Sequence, residues 1–235
     1  MGTTILNKLT PAGVNALNKG EVLAIRVPDF LSAGECCRLA KAATASPHFR
    51  FGGNGFVGIG PGSFELPGSA EEYFGSAPEI QKILAGPFTA LEQAIGRIDC
   101  PHYSLDKPMR PLTARRYTTE FKAPPHQDDD LTTCPWASSQ LGISLTLVSP
   151  KSGGAIRLWD LAYRPAEYAK RKLADRFELD QSMIPPHDAE MTGQVGELLI
   201  IDARRIHAID PITQGERVSV SGFIAVDSFR YWIWS

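Results

Sequence analysis

Pro125-His126-Gln127-Asp128 contains a His-x-Asp pair. On a strand, residues i and i+2 point to one face, so an imidazole and a carboxylate with this spacing can reach a common metal ion. The pair alone says little, because five His and 13 Asp in 235 residues produce one by chance roughly 0.3 times. A third ligand follows 81 residues on. His207 comes shortly after the run Gly196-Glu197-Leu198-Leu199-Ile200-Ile201, where a strand would deliver it to the mouth of a barrel. Two His and one Asp make a facial triad, which holds Fe(II) through three positions and leaves three open. Arg217 stands ten residues beyond His207, with Ser219 two further, both on one face of the strand read through Val218 to Val226. A buried guanidinium is costly without an anion, and its planar fork matches a carboxylate bidentately, so this pair implies an acidic ligand.

Such residues need strands to aim them. From Pro111 onward the chain shows short β-like runs at Thr113 to Thr118, Leu141 to Val148, Ala155 to Trp159, Glu197 to Ile201, Ile206 to Ile209 and Val218 to Val226. That density predicts a barrel or sandwich. Upstream, Val22 to Val27 reads as a strand, and Ser32-Ala33-Gly34-Glu35 is a capping box opening a helix over Ala33 to Ala43. Ile80, Ile83, Leu84, Phe88, Leu91 and Ile95 recur at helical spacing, with an interruption or kink at Pro87. Phe51 to Gly62 is Gly-rich without the Lys-Ser/Thr pair of a phosphate loop and reads as a loop or irregular hairpin. Ala166 to Phe177 has the composition of an exposed helix inserted between strands. The expected fold class is α+β, mainly β, over a single domain of residues 1–235: helical support in 1–110 and a β barrel in 111–235.

Composition narrows the function classes. With 43% hydrophobic and 21% charged residues, the chain can build one sizeable core. Lys plus Arg is 24 against Asp plus Glu 26, a net charge of -2 that offers no field for a nucleic-acid backbone. The longest apolar runs are strand-sized, so no membrane span is expected. Met1 to Lys8 lacks a charged segment followed by an apolar one, which makes a cytoplasmic location the expectation. Cys36, Cys37, Cys100 and Cys134 form no C-x-x-C pair and read as reduced, structural thiols.

The order His126, Asp128, His207, Arg217, Ser219 strongly resembles the Fe(II)/2-oxoglutarate-dependent oxygenase superfamily, with a motif order like that of the prolyl hydroxylases. Arg116-Tyr117 before His126, Gly153-Gly154-Ala155-Ile156-Arg157-Leu158 between the ligands, Pro211 to Arg217, and Pro28-Asp29-Phe30-Leu31 ahead of the capped helix are similar too. The resemblance implies a double-stranded β-helix, or jelly roll, with packed N-terminal helices. It implies Fe(II) on His126, Asp128 and His207. It also implies 2-oxoglutarate anchored by Arg217 and Ser219 with Tyr117 as an additional contact, and O2 consumed as the cosubstrate becomes succinate and CO2. Halogenating members replace the carboxylate ligand with a small residue; Asp128 is present here, which favours hydroxylation, while desaturation, cyclisation and epimerisation use the same triad.

On the substrate side, Asp130 would share the face of His126 and Asp128 if the strand continued, or else lie in a solvated acidic turn. Arg157 and Trp159 share a face that points either into the barrel or to solvent. Trp136 and Tyr231-Trp232-Ile233-Trp234 would form an apolar lid, or pack on the barrel or on a second subunit of a homodimer. Arg115 and Arg116 lie on opposite strand faces, so at most one meets the pocket. An anion and a cation across the metal would suit a zwitterion, hence a small-molecule substrate such as a free amino acid or a derivative. His48, His102 and His187 read as structural or surface residues. The competing classes are a cupin-like zinc or manganese hydrolase or isomerase on the same three ligands, and a non-catalytic jelly roll that binds a ligand.

Overall fold

A computed structural model describes residues 4–53, 56–66, 68–119, 121–128, 139–174, 176–227 and 230–235. Among the described residues the largest sheet has ten strands. Its path runs Ile5–Leu6, Ala24–Val27, Leu198–Asp202, Leu141–Val148, Arg217–Asp227, Thr113–Tyr117, Phe56–Ile59, Phe49–Gly53. A four-stranded sheet, Ala189–Met191, Ile156–Leu158, His207–Ile209 and Ala123–His126, completes the other side of a shared cavity.

Period-two alternation explains how the large sheet serves both packing and function. In Leu141–Val148, the residues Leu141, Ile143, Leu145 and Leu147 join a core that also contains Leu17, Cys36, Ile80 and Leu91 from the helices. The alternate face carries Gly142, Ser144 and Thr146. In Arg217–Asp227, Val218, Val220 and Ile224 join the same core, and Arg217, Ser219, Ser221 and Phe223 take the other face. The main hydrophobic core therefore lies between sheet and helices, and the opposite face contributes Ser144, Arg217, Ser221 and Phe223 to the cavity.

The helices are α1 (Pro11–Asn18), α2 (Ala33–Ala45), α3 (Ala70–Ile83), α4 (Ala85–Ile95) and α5 (Pro165–Arg171). The capping box opens α2 as expected: Glu35 N–H donates to Ser32 Oγ at 3.3 Å, and Ser32 N–H donates to Glu35 Oε2 at 2.9 Å. The apolar stripe from Ile80 to Ile95 belongs to two helices, with the break at Leu84 (φ -97°, ψ 13°). Pro87 is the reason. It lacks an N–H and would clash with the carbonyl four residues earlier in an unbroken helix, and the break places it in the first turn of a new one, whereas Pro78 is carried inside α3. The helix expected over Ala166 to Phe177 stops at Arg171, where Lys172 forms a β-bridge with Leu179. Phe51 to Gly62 holds part of a hairpin, Phe49–Gly53 with Phe56–Ile59, that extends the large sheet.

Several short strands carry no signal in the sequence, and two of them bear on the site and its surroundings. Ala123–His126 is half proline, which no β pattern recommends; prolines are accepted because this is the edge of its sheet. Arg230–Trp234 pairs with Arg217–Asp227, and Tyr231, Ile233 and Trp234 are buried, so the aromatic C-terminal segment packs on the barrel and forms no lid. Gly153 shows why the turn before Ile156–Leu158 needs glycine: its φ is +77°, and a Cβ would stand 2.2 Å from the Pro211 carbonyl oxygen. No helix among the described residues is long and apolar enough to cross a membrane. Replacing Ser32 with Ala removes the α2 cap and is expected to lower unfolding stability by about 1 kcal/mol in urea titrations, with metal binding unchanged.

Candidate active site

His126 ends one strand and His207 begins its antiparallel neighbour, and the two are direct partners in register. Their rings face each other with centroids 4.3 Å apart. His126 Nδ1 lies 2.8 Å from the Pro124 carbonyl oxygen and His207 Nδ1 lies 3.0 Å from that of Arg205. A carbonyl only accepts, so each Nδ1 carries a proton and donates, which turns both Nε2 atoms toward a shared centre.

Asp128 completes the group. Its Oδ1 is 3.5 Å from His126 Nε2 and its Oδ2 is 3.4 Å from His207 Nε2. Cis ligands on bonds of about 2.1 Å would stand roughly 3 Å apart, so the three donors need little contraction to share one ion. The intervening Gln127 points elsewhere: its carboxamide donates to the Tyr163 carbonyl at 3.2 Å and accepts from the Tyr163 N–H at 2.8 Å. Asp128 N–H donates to the Ala203 carbonyl at 2.8 Å, tying the turn to the segment before His207. Burial, with the adjacent His207, pushes His126 down to about 4. Burial works to raise Asp128, but the hydrogen bond and charge of His207 outweigh it and hold the carboxyl down at about 2. The same bond raises His207 against its own burial. An ionised carboxylate beside two imidazoles is a donor set that suits a borderline divalent cation such as Fe(II).

Arg217, 3% exposed, lines the same cavity. Its Nη2 donates to Ser144 Oγ at 2.7 Å, and its guanidinium carbon is 5.8 Å from the Tyr117 ring. Nε and Nη1 are buried with no partner, and burial pushes the group's pKa down. Two orphaned donors on a buried cation fit a carboxylate. Tyr117 lines the cavity and pairs in register with Arg217. Ser219 is buried on the Arg217 face, its Oγ 3.5 Å from Ser221 Oγ. Ser144 and Ser221 line the cavity and were missed in the sequence, where no motif marks them; their signal is cross-strand register, Ser144 opposite Ser221.

The cavity, about 390 Å³, also receives Arg115, while Arg116 turns away toward Glu216 at 3.9 Å. Two expected substrate residues lie elsewhere. In Ile156–Leu158 the apolar Ile156 lines the cavity, which sends Arg157 to the opposite face, where it pairs with Asp210. Trp159 is 2% exposed in a cluster with Leu179, Ile206 and Ala208, and its indole N–H donates to the Pro185 carbonyl at 2.7 Å. Asp130, Trp136 and Cys134 fall outside the described residues. His48 meets Glu79, His102 the Leu105 carbonyl and His187 Glu190, all apart from the triad. Cys36, Cys37 and Cys100 are free thiols. Because Gln127 aims its two neighbours, Gln127→Ala is expected to weaken Mn(II) or Fe(II) affinity by roughly 10- to 100-fold in anaerobic calorimetric titrations.

Residues 6–235 match the family model of the carrier-protein-independent halogenase WelO5. Among solved structures, an N-substituted L-amino acid dioxygenase from Burkholderia ambifaria AMMD superposes with a TM-score of 0.67 at 20% identity, covering 96% of this chain and 91% of that one. Its complex with α-ketoglutarate gives a TM-score of 0.64 at the same identity and coverage. No curated protein is significantly similar in sequence. By the extent of the family match, and with His126, Asp128 and His207 gathered where they could hold a metal ion, the chain belongs to the family of the halogenase WelO5, within the Fe(II)/2-oxoglutarate-dependent oxygenases.

Proposed function

We propose that the protein is a non-haem iron, 2-oxoglutarate-dependent dioxygenase that hydroxylates an unactivated C–H bond of a small molecule. The observation that carries this reading is the pairing, in one cavity, of the His126, Asp128, His207 cluster with a buried Arg217 whose Nε and Nη1 have no partner. The two sheets are read as the halves of a double-stranded β-helix in residues 111–235, with residues 1–110 as its support.

His126, Asp128 and His207 would hold the iron, and Arg217, with Tyr117 and Ser219 beside it, would hold the distal carboxylate of 2-oxoglutarate. Iron and 2-oxoglutarate supply the oxidising chemistry, in which R–H, 2-oxoglutarate and O2 become R–OH, succinate and CO2. The chain's own contribution is positioning. The Nδ1–H bonds to Pro124 and Arg205 fix both imidazoles, Ser144 orients the guanidinium, and the apolar wall of Ile156, Leu199 and Ile201 keeps bulk water out.

The family is named for a halogenase, and Asp128 argues for oxygen transfer in this member. Its carboxylate stands beside both Nε2 atoms and takes the third protein position, which a halide would otherwise need. The orphaned donors of the buried Arg217 argue against a zinc hydrolase, and the retained His126, Asp128 and His207 cluster argues against a non-catalytic binding module.

Fe(II) plus 2-oxoglutarate added anaerobically is expected to give a weak visible band, and Asp128→Ala to abolish both the band and succinate formation. Arg217→Ala should raise the 2-oxoglutarate KM by roughly 30-fold or more. Undiminished succinate formation in either variant, or tightly held zinc with no band, would overturn the proposal. Turnover in chloride or bromide buffer should yield a hydroxylated product and no halogenated one, read by mass spectrometry.

A further inference from the structure

The described residues between Tyr163 and Leu179 carry no metal ligand, yet they touch the ligand-bearing strand at three successive positions. Leu179 N–H donates to the Pro125 carbonyl at 2.8 Å, Phe177 stacks edge-on against the His126 ring with centroids 5.2 Å apart, and the Tyr163 backbone brackets the Gln127 carboxamide. One side chain joins two of these contacts. The Gln127 N–H donates to Tyr168 Oη at 3.4 Å, and the Tyr168 O–H donates to the Phe177 carbonyl. A carbonyl only accepts and a phenol has one proton to give, so the directions of both bonds are fixed.

The two ends of this segment are held differently. Leu179 is 1% exposed beside Trp159, Ile206 and Ala208, and Tyr163 and Tyr168 pack against that cluster. The chain returns to α5 through the Lys172 bridge to Leu179, a 2.8 Å bond from Leu173 N–H to the Glu178 carbonyl, and another of 2.8 Å from Asp180 N–H to the Arg171 carbonyl. Phe177 lines the cavity but is 56% exposed. A ring that open to water gains little from burial, so its place over His126 depends on the backbone that carries it. Tyr168 is what ties that backbone to the residue between the two metal ligands.

We propose that Tyr168 is a positioning residue that couples Phe177, at the wall of the cavity, to the turn carrying His126 and Asp128. The proposal rests on the reading of those residues as metal ligands. Through one hydroxyl, the Phe177 ring is set against His126 and the Gln127 backbone is held between the two ligands, so loosening either end loosens the other. The coupling is reciprocal: metal at the triad steadies the segment around Phe177, and an occupant of the cavity that meets the Phe177 ring bears on the metal turn.

The test compares metal-free protein with protein holding Mn(II), by amide hydrogen exchange read in a mass spectrometer. Mn(II) should slow exchange in peptides covering 125–128 and also in those covering 171–180, which contain no metal ligand. Loss of Mn(II) to a chelator gives a second reading. Tyr168→Phe and Phe177→Ala should each speed it about tenfold, and the double variant should fall at least about threefold short of their product. Phe177→Tyr keeps the ring and should hold the metal as the unaltered protein does. Protection confined to 125–128 overturns the assignment, as do unchanged release in either single variant, factors that multiply, or fast release in Phe177→Tyr. Mn(II) that protects neither segment removes the metal centre of the dioxygenase reading, and this assignment with it. The exchange comparison needs no variant and decides the matter even if Tyr168→Phe fails to fold.

Discussion

Two imidazoles directly opposite one another across an antiparallel pair are the constraint on which the site depends. His126 and His207 share one centre because their strands meet in that register, and a slip of a single residue would turn one ring to the other face. The pairing is irregular: His126 sits opposite His207, and Ala123 opposite Ile209, so one strand carries an extra residue. Bulges of this kind re-aim a side chain near functional sites. Here the extra residue falls at Pro124 and Pro125, and the Pro124 carbonyl is the acceptor that fixes the His126 ring. Irregular backbone and ligand orientation are thus a single feature.

The large sheet resolves a conflict between stability and chemistry by division of faces. Leu141, Ile143, Leu145, Val218, Val220 and Ile224 pack under the helices, while Ser144, Arg217 and Ser221 line the cavity. Burying a guanidinium without an anion destabilises the fold by an amount set by its desolvation. A core placed outside the barrel allows that burden to be carried without polar groups entering the packed layer. The orphaned Arg217 donors are a cost that an acidic ligand would relieve.

The parts legible in the sequence are those whose chemistry is rare and whose spacing is short. His126, Asp128, His207 and Arg217 could be read because few arrangements of such residues arise without a ligand, and the long strands because their alternation is strict. What stayed hidden needed a third dimension. Alternation groups Arg157 with the face away from Ile156 yet cannot say which face is inward; the answer comes from pairing with His207–Ile209 on one side and Ala189–Met191 on the other. Arg115 and Arg116 presented the same choice. Ser144 is an unremarkable serine until Arg217 arrives from 73 residues away to donate to it. The Ala123–His126 strand was hidden by its own composition, and the interruption expected at Pro87 separates two helices that share one apolar stripe.

Proline at that last strand has a further effect. Ala123–His126 lies at the border of its sheet, where the outer rim of a strand would ordinarily offer a row of amide hydrogens to any extended chain nearby. Pro124 and Pro125 have none to offer, and the Pro125 carbonyl is already taken by the N–H of Leu179. The segment that bears His126 is therefore a poor template for the addition of a further strand at this border.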